Sequence, residues 1–452
     1  MSLDTFLGID QLPSRARYYI RTFTLLSVLI SFAMALSSTF YILFTIDHLG
    51  FALAGVTVSI MFFAQLVTDY PSGSLSDWIG QRWVLAISFA CYGIAFFLLT
   101  TARSFTDFSI IALVNGLANA QNSGAIATWL DNNYKKVAGD VDPDRKIYGF
   151  GLARSGLFSN VAMALTFITG GMLATLFSRQ FVFLLQSGLA VFLIILVLVV
   201  VKDEKIAHLE EADEIKKKST AEYFKHVSGG IRFYFSTKAA FFFLTGSALF
   251  FASVTIWGSL ILLPIYFGYT GSDSLASMLR TAIYVIGIPI GYYVANVSRR
   301  LAKDKLPLLQ FMFVIPFFGC FFILLTFVPL NGNFNLAGIV ITVVLMSTLV
   351  SFLLSVSDAL RQRIMIDLIP SEFRNAVYSL IPTVISLFGI VLLPAAGVLI
   401  ESFGIAAGVA LALVVGTISS LFVYIGVHTL ETRIEEPIIT PPSREEVIPA
   451  AG

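Results

Sequence analysis

The chain has 452 residues; 57% are Ala, Val, Ile, Leu, Met, Phe, Trp, Tyr or Cys, only 13% are charged, and the mean hydropathy is +0.85. A soluble domain carries about 25% charged residues, so soluble enzymes, nucleic-acid binders and disulfide-stapled secreted domains are excluded. The net charge of +1 is uninformative about partners.

The apolar residues fall in blocks of about 20, the length a helix needs to cross roughly 30 Å of hydrocarbon. Twelve segments are predicted: residues 19–46, 51–76, 82–101, 106–131, 147–177, 180–201, 239–268, 273–297, 306–328, 335–368, 372–400 and 404–428. Several exceed 26 residues, so tilt or protrusion beyond the bilayer is expected. Residues 1–18 are polar with arginines, and the block that follows is too long for the core of a cleavable signal. The charged stretch Lys202–Lys238, with Glu210-Glu211 and Lys216-Lys217-Lys218, reads as a linker carrying one short amphipathic helix. The tail after Glu431 is rich in Pro and Glu and reads as disordered. The expected fold is an all-α polytopic membrane protein with 12 transmembrane helices in two pseudo-symmetric six-helix bundles. The bundles span residues 1–201 and 239–430, with a cytoplasmic linker over 202–238 and a cytoplasmic tail over 431–452.

Orientation follows from Lys and Arg. With the N-terminus in the cytoplasm, the inner segments hold 23 of these residues and the outer loops hold two, Arg103 and Arg179. Both termini and the central loop are therefore expected inside, in a multi-pass protein of the cell membrane. Cys91 and Cys320 both lie in apolar blocks, giving neither a disulfide framework nor a metal cluster. His48, His208, His226 and His428 all lie at segment ends or in loops, so an intramembrane protease is not expected, nor a cofactor.

The halves read as diverged copies. Segment four ends in Trp129-Leu130-Asp131 and the next opens with Arg145-Lys146-Ile147-Tyr148-Gly149. Segment ten ends in Met365-Ile366-Asp367 and the next opens with Arg374-Asn375-Ala376-Val377-Tyr378-Ser379. Six plus six helices around a hydrophilic linker is a common transporter plan, with substrate held where the halves meet.

The most specific stretch joins segments two and three. Gly73-x-Leu75-x-Asp77-x-x-Gly80-x-Arg82 resembles the loop motif of the major facilitator superfamily and stands in the same short cytoplasmic loop. The resemblance implies a charge network that latches the halves, made here by Asp77, Arg82 and Asp131, with Gly73 and Gly80 permitting a tight turn and Arg154 nearby. Trp78 and Gln81 stand where the family usually has basic residues, which implies a weaker latch. The run Asp69-Tyr70-Pro71-Ser72-Gly73 resembles the approach to this loop in drug-exporter-like members, although segment five lacks their Gly-Pro pattern before Gly170-Gly171.

Polar stripes at helical spacing come next. Ser27, Ser31, Ser38 and Thr45 share a face of segment one; Asn115, Asn119 and Asn122 share one of segment four. Thr245, Thr255, Ser259 and Tyr266 cluster on segment seven, and Ser347, Ser351, Ser355, Asp358 and Gln362 line up on segment ten. The resemblance implies that these four helices line a central cavity. The same groups could instead bond helix to helix.

Charge within a span costs several kcal/mol unless paired or hydrated. The candidates are Asp69, Arg154, Arg280, Asp358, Arg361 and Arg363. Asp358 lies 12 residues before Pro370, about 18 Å, and Arg361 is one turn away. Burial raises a carboxylate's proton affinity and a nearby Arg lowers it, so Asp358 or Asp69 could load and release a proton as access alternates. Arg280, Arg154 or Arg361 could instead hold an anionic substrate group, and fixed ion pairs are the structural alternative. The expectation is a transporter rather than an enzyme, most simply a proton antiporter acting in efflux of small amphipathic or hydrophobic compounds. Uptake or exchange of a small organic anion, or lipid translocation, is the alternative. The expected partners are a small-molecule substrate, protons and the bilayer, with the chain a monomer.

Overall fold

Inside hydrocarbon a backbone has no water to bond, so each apolar segment satisfies its own N–H and C=O groups by coiling into a helix. The computed structural model describes residues 2–122, 125–202, 231–369 and 374–435; the side chains of 70–78, 292, 295, 374–379 and 431–435 lie outside the description. Among the described residues, eleven helices are long and apolar enough to cross a membrane, and they account for every predicted segment except the fourth. Segment four comprises Phe105–Asn122 and Ala125–Ala138, and its asparagines make it less apolar than the rest. With it the architecture is the expected set of twelve transmembrane helices. The linker and tail expected over 202–238 and 431–452 fall largely outside the described residues, but the last helix, Ile405–Glu435, runs past the predicted boundary.

Segment one departs from prediction in a way that matters below. It starts at Ser14 and stops at Ala35; residues 36–40 form a turn, and helix resumes at Tyr41. Gly50, at φ 76° and ψ 174°, then swings the chain into segment two, which continues to Ile79. A short helix not foreseen from the sequence, Leu3–Leu7, lies ahead of segment one. Its Asp4 is buried and accepts from Arg17 and Arg21, so two arginines expected to mark the membrane flank serve as its anchor.

The halves repeat one packing scheme. In the first, segments one and five, one and six, two and four, three and four, and three and six pack together; in the second, the pairs six positions later do the same. Segment seven is Lys238–Ile256, a π-helical turn Trp257–Ile261 and Leu262–Thr270; segment ten is Leu336–Leu345, a π-helical stretch Met346–Leu354 and Ser355–Leu368. The halves meet along two seams: segment two against segment eleven, Arg374–Phe403, and segment five, Lys146–Leu176, against segment eight, Asp273–Arg300.

Candidate functional site

Because the helices alternate in direction, the loop after segment one and those after segments three, five, seven, nine and eleven share one end, called here the far end. The opposite end carries residues 202 and 231 and is the linker end. Both seams are fastened from the far end inward. Gly397 packs on the Phe51 carbonyl and Gly55 on the Leu393 carbonyl, and Ser59 Oγ donates to the Ile390 carbonyl at 3.0 Å. Glu401 accepts from the Ala52 N–H at 2.7 Å. On the other seam a methyl added to Gly171 would stand 1.9 Å from Ser277 Oγ, a closeness only glycine allows. Further in, Thr281 Oγ1 donates to the Ala164 carbonyl at 3.2 Å and the Tyr284 hydroxyl to Asn160 Oδ1 at 2.9 Å.

Below these rungs the described residues on these faces become exposed. The antiparallel register next sets the turn of Gly156 and Leu157 opposite Ile288, and then Ala153 opposite Gly291. There Gly156 and Gly291 face open space, while Leu157 and Ile288 are 44% and 37% exposed. On the first seam Phe63 and Leu387, one turn beyond Ser59 and Ile390, are likewise exposed.

A cavity of about 540 Å³ opens beside the fastened stretch of the second seam. Its walls are Ile30, Ser31, Met34, Ala35 and Ser38 of segment one, Met163 and Phe167 of segment five, and Arg280 and Tyr284 of segment eight. Arg280 Nη1 donates to the Ser38 carbonyl at 2.5 Å and approaches Ser38 Oγ at 3.4 Å, and its guanidinium lies 4.2 Å from the Phe167 ring centroid. The break in segment one explains that carbonyl. Backbone bonds across the turn are accepted by Ala35 and Ser37, which leaves the Ser38 oxygen available to Arg280.

The other charged candidates lie elsewhere. Arg361, predicted for the cavity, is fully buried inside the second half. It donates to Gln310 Oε1 of segment nine at 2.9 Å and to Asp358 Oδ1 at 3.3 Å, and it lies over Phe250 and Phe251 of segment seven. Gln310 in turn donates to Ser419 and Ser420 of segment twelve. Asp358 keeps 42% of its side chain accessible. Asp69, on segment two, is exposed and has an interaction partner.

A scan against family models matches residues 23–348 to the Major Facilitator Superfamily. The chain belongs to the major facilitator superfamily. It is thus a membrane transporter and not an enzyme. A search of curated proteins finds no match. Among solved structures, a point-mutant form of the nucleoside transporter NupG shares 14% identity at a TM-score of 0.70, over 91% of this chain and 99% of that one. NupG itself follows at 13% and 0.68, over 91% and 99%, and a D-xylose–proton symporter at 12% and 0.62, over 91% and 98%. These likenesses establish the fold.

The family's loop network is only partly within view. The side chain of Asp77 and the surroundings of Gly73 lie outside the described residues. Gly80, at φ 86°, makes the turn between segments two and three. Arg82 lies against Trp83, with its Nε buried and lacking an acceptor among the described residues. Asp131 pairs with Arg145 at 2.5 Å. Arg154 differs from expectation: it donates to the Phe6 carbonyl and stacks on Phe6 and Phe150, so it secures the short N-terminal helix.

The polar stripes divide in the same manner. Ser31 and Ser38 line the cavity. Asn115 donates to the Tyr41 hydroxyl at 3.3 Å and Asn119 accepts from the Tyr92 hydroxyl at 2.5 Å, so these two bond helix to helix, and Asn122 lies one turn further along. Ser351 and Ser355 donate along their own helix to Met346 and Val350, five residues back, as a π-helical stretch permits; Ser351 also faces Gly287 of segment eight. Periodicity identified polar faces but not the neighbour each face meets. It therefore missed segment five as a cavity wall, and only the charge of Arg280 pointed to segment eight.

Arg179 and Asp142 were also missed. Arg179, at the far end, donates from Nε and Nη2 to the two carboxylate oxygens of Asp273, both at 2.8 Å, and from Nη1 to Asp47 at 2.6 Å. That triad ties segment six to segment eight across the halves. Asp142, in the loop before segment five, accepts from the backbone N–H groups of Lys146, Ile147 and Tyr148 and from the Tyr134 hydroxyl. Burial pushes its carboxyl up, and those four donors outweigh burial and hold it below the usual carboxylate range.

Proposed function

We propose that this protein is a secondary active transporter that exports small amphipathic compounds in exchange for protons, working by alternating access. The observation that carries the reading is the pair of seams, fastened at the far end down to Asn160–Tyr284 and Ser59–Ile390 and lined beyond them by exposed residues, with the cavity beside them. The 23-to-two bias of Lys and Arg orients the linker end toward the cytoplasm, which makes this the inward-facing state. The apolar walls suit a greasy substrate body, and the volume falls within the roughly 300–1,000 Å³ of small-molecule sites. The Asp69–Gly73 run supports the exporter direction through its resemblance to exporter-like members.

Proton coupling is assigned to Asp358. It is accessible, lies near mid-membrane, and stands 3.3 Å from a buried guanidinium that no water can hydrate. Purified protein in liposomes with an imposed pH gradient tests this. Antiport moves substrate against the proton flow, and Asp358→Asn abolishes gradient-driven accumulation while leaving downhill exchange. Substrate moving with the protons would reverse the direction proposed, and a variant that still concentrates substrate at the normal rate would remove Asp358 from the mechanism.

A further inference from the structure

Four arginines lie five or more residues inside the predicted spans: Arg154, Arg280, Arg361 and Arg363. Three are occupied. Arg154 is tied to Phe6, Arg361 to Gln310 and Asp358, and Arg363 Nη1 to the Ser298 and Leu301 carbonyls at 2.8 and 3.1 Å. Arg280 differs. Among the described residues no carboxylate lies within 4.0 Å of it, and its bonds run from Nη1 alone to Ser38. Its Nε and Nη2 are not among the sealed, partnerless atoms, and the side chain lines the cavity.

A guanidinium held at membrane depth with one carbonyl, one hydroxyl and a ring face for company is undercompensated. Nε and Nη2 form one edge of the planar fork, the edge that meets a carboxylate through two parallel bonds. We infer that Arg280 is the headgroup subsite of this cavity and that the transported amphipathic compound is a monoanion, its carboxylate or equivalent oxyanion on Arg280 and its apolar body along Ile30, Met34 and Met163. A single open cation balances a single charge; a dianion would bury one charge unpaired. This rests on the transporter reading and narrows its substrate class. Arg280 also bridges the halves, since its other hold is the Ser38 carbonyl. An arriving oxyanion therefore engages the residue that props the second seam.

The test uses purified full-length protein and matched probes: octanoate, 4-phenylbutyrate and 1-naphthoate, each beside its neutral amide, scored by the rise in melting temperature. The expected result is that acids stabilise the wild type and amides do not. Arg280→Gln should weaken acid binding at least tenfold, while Arg280→Lys, which keeps the charge but loses the fork, retains part of it. Phosphatidylglycerol added in mixed micelles separates sources: competition with the acids indicates a membrane-borne anion, and its absence a water-borne one, both with Arg280 as the subsite. Amides that stabilise as well as acids, acid binding unchanged in Arg280→Gln, or a panel in which no acid binds would each overturn the inference. None of those would touch alternating access, which fails instead if cavity thiols react from one face only under every condition.

Discussion

Arg179 of segment six and Asp273 at the start of segment eight are joined by two parallel hydrogen bonds of 2.8 Å, although they belong to opposite halves. Both are largely shielded, at 15% and 11% side-chain exposure, so the pair keeps more of its strength than a surface ion pair does. Removing either partner should cost the closed far end about 1.5–3 kcal/mol, roughly a ten- to hundredfold shift in the balance between states. With Cys91 and Cys320 replaced, a cysteine at Ser31 should react faster with far-side thiol reagents in Arg179→Gln or Asp273→Asn than in the parent. Unchanged labelling would mean that the glycine contacts alone hold this end.

Gly171 should be intolerant of bulk for a reason separate from folding within its own half. A leucine there collides with Asp273 and Ser277 across the seam. Gly171→Leu should therefore remain folded but hold the far end apart and lose transport. Spin labels at Arg103→Cys and Asn333→Cys should report a longer far-end distance than in the parent.

Gln310 stabilises the second half by giving Arg361 its neutral partner. Gln310→Leu leaves the fully buried guanidinium short of an acceptor and should lower stability by about 1–3 kcal/mol. Adding Arg361→Met removes the orphaned charge and should recover most of the loss. A melting-temperature double-mutant cycle over the two positions measures the coupling, and additive losses would show that the contact contributes little.

Asp4 gives the N-terminal helix a pH dependence of known sign. Hydrogen bonds from Arg21, then its charge and Arg17, outweigh burial and hold the carboxyl below its ordinary 3.8. A depressed folded value means that docking is fully supported above about pH 4 and is lost as pH falls through the lower folded value. A fluorophore at Leu3→Cys should stay immobile from neutral pH down to that range and become mobile below it. Asp4→Asn should be mobile throughout.

Much of the fold was legible because lipid leaves a chain few choices: block length gave the spans, and Lys and Arg gave a consistent assignment of loops. Arg280 was a candidate for the same reason, as one of several charges within a span. The cavity walls were harder to read. Met163 and Phe167 look like any lipid-facing residues of segment five until Gly170 and Gly171 bring that helix against Leu36 and Ser277. Arg361 resembled Arg280 in sequence; Gln310, 51 residues away, makes one structural and leaves the other open. Arg179 counted only as a loop charge because its partners, Asp47 and Asp273, are 132 and 94 positions distant.

The innermost rungs of the two seams, Ser59 with Ile390 and Asn160 with Tyr284, are related by the same exchange of halves that turns segments two and eleven into eight and five. On the alternating-access reading proposed above, a rigid swing of one bundle on the other would have its fulcrum at this level, where displacement is least. Side chains there behave as an axle and those at the ends as levers, so small volume changes at Ser59 or Asn160 should alter the amplitude of the stroke, whereas equal changes at the rims should alter which way the molecule rests.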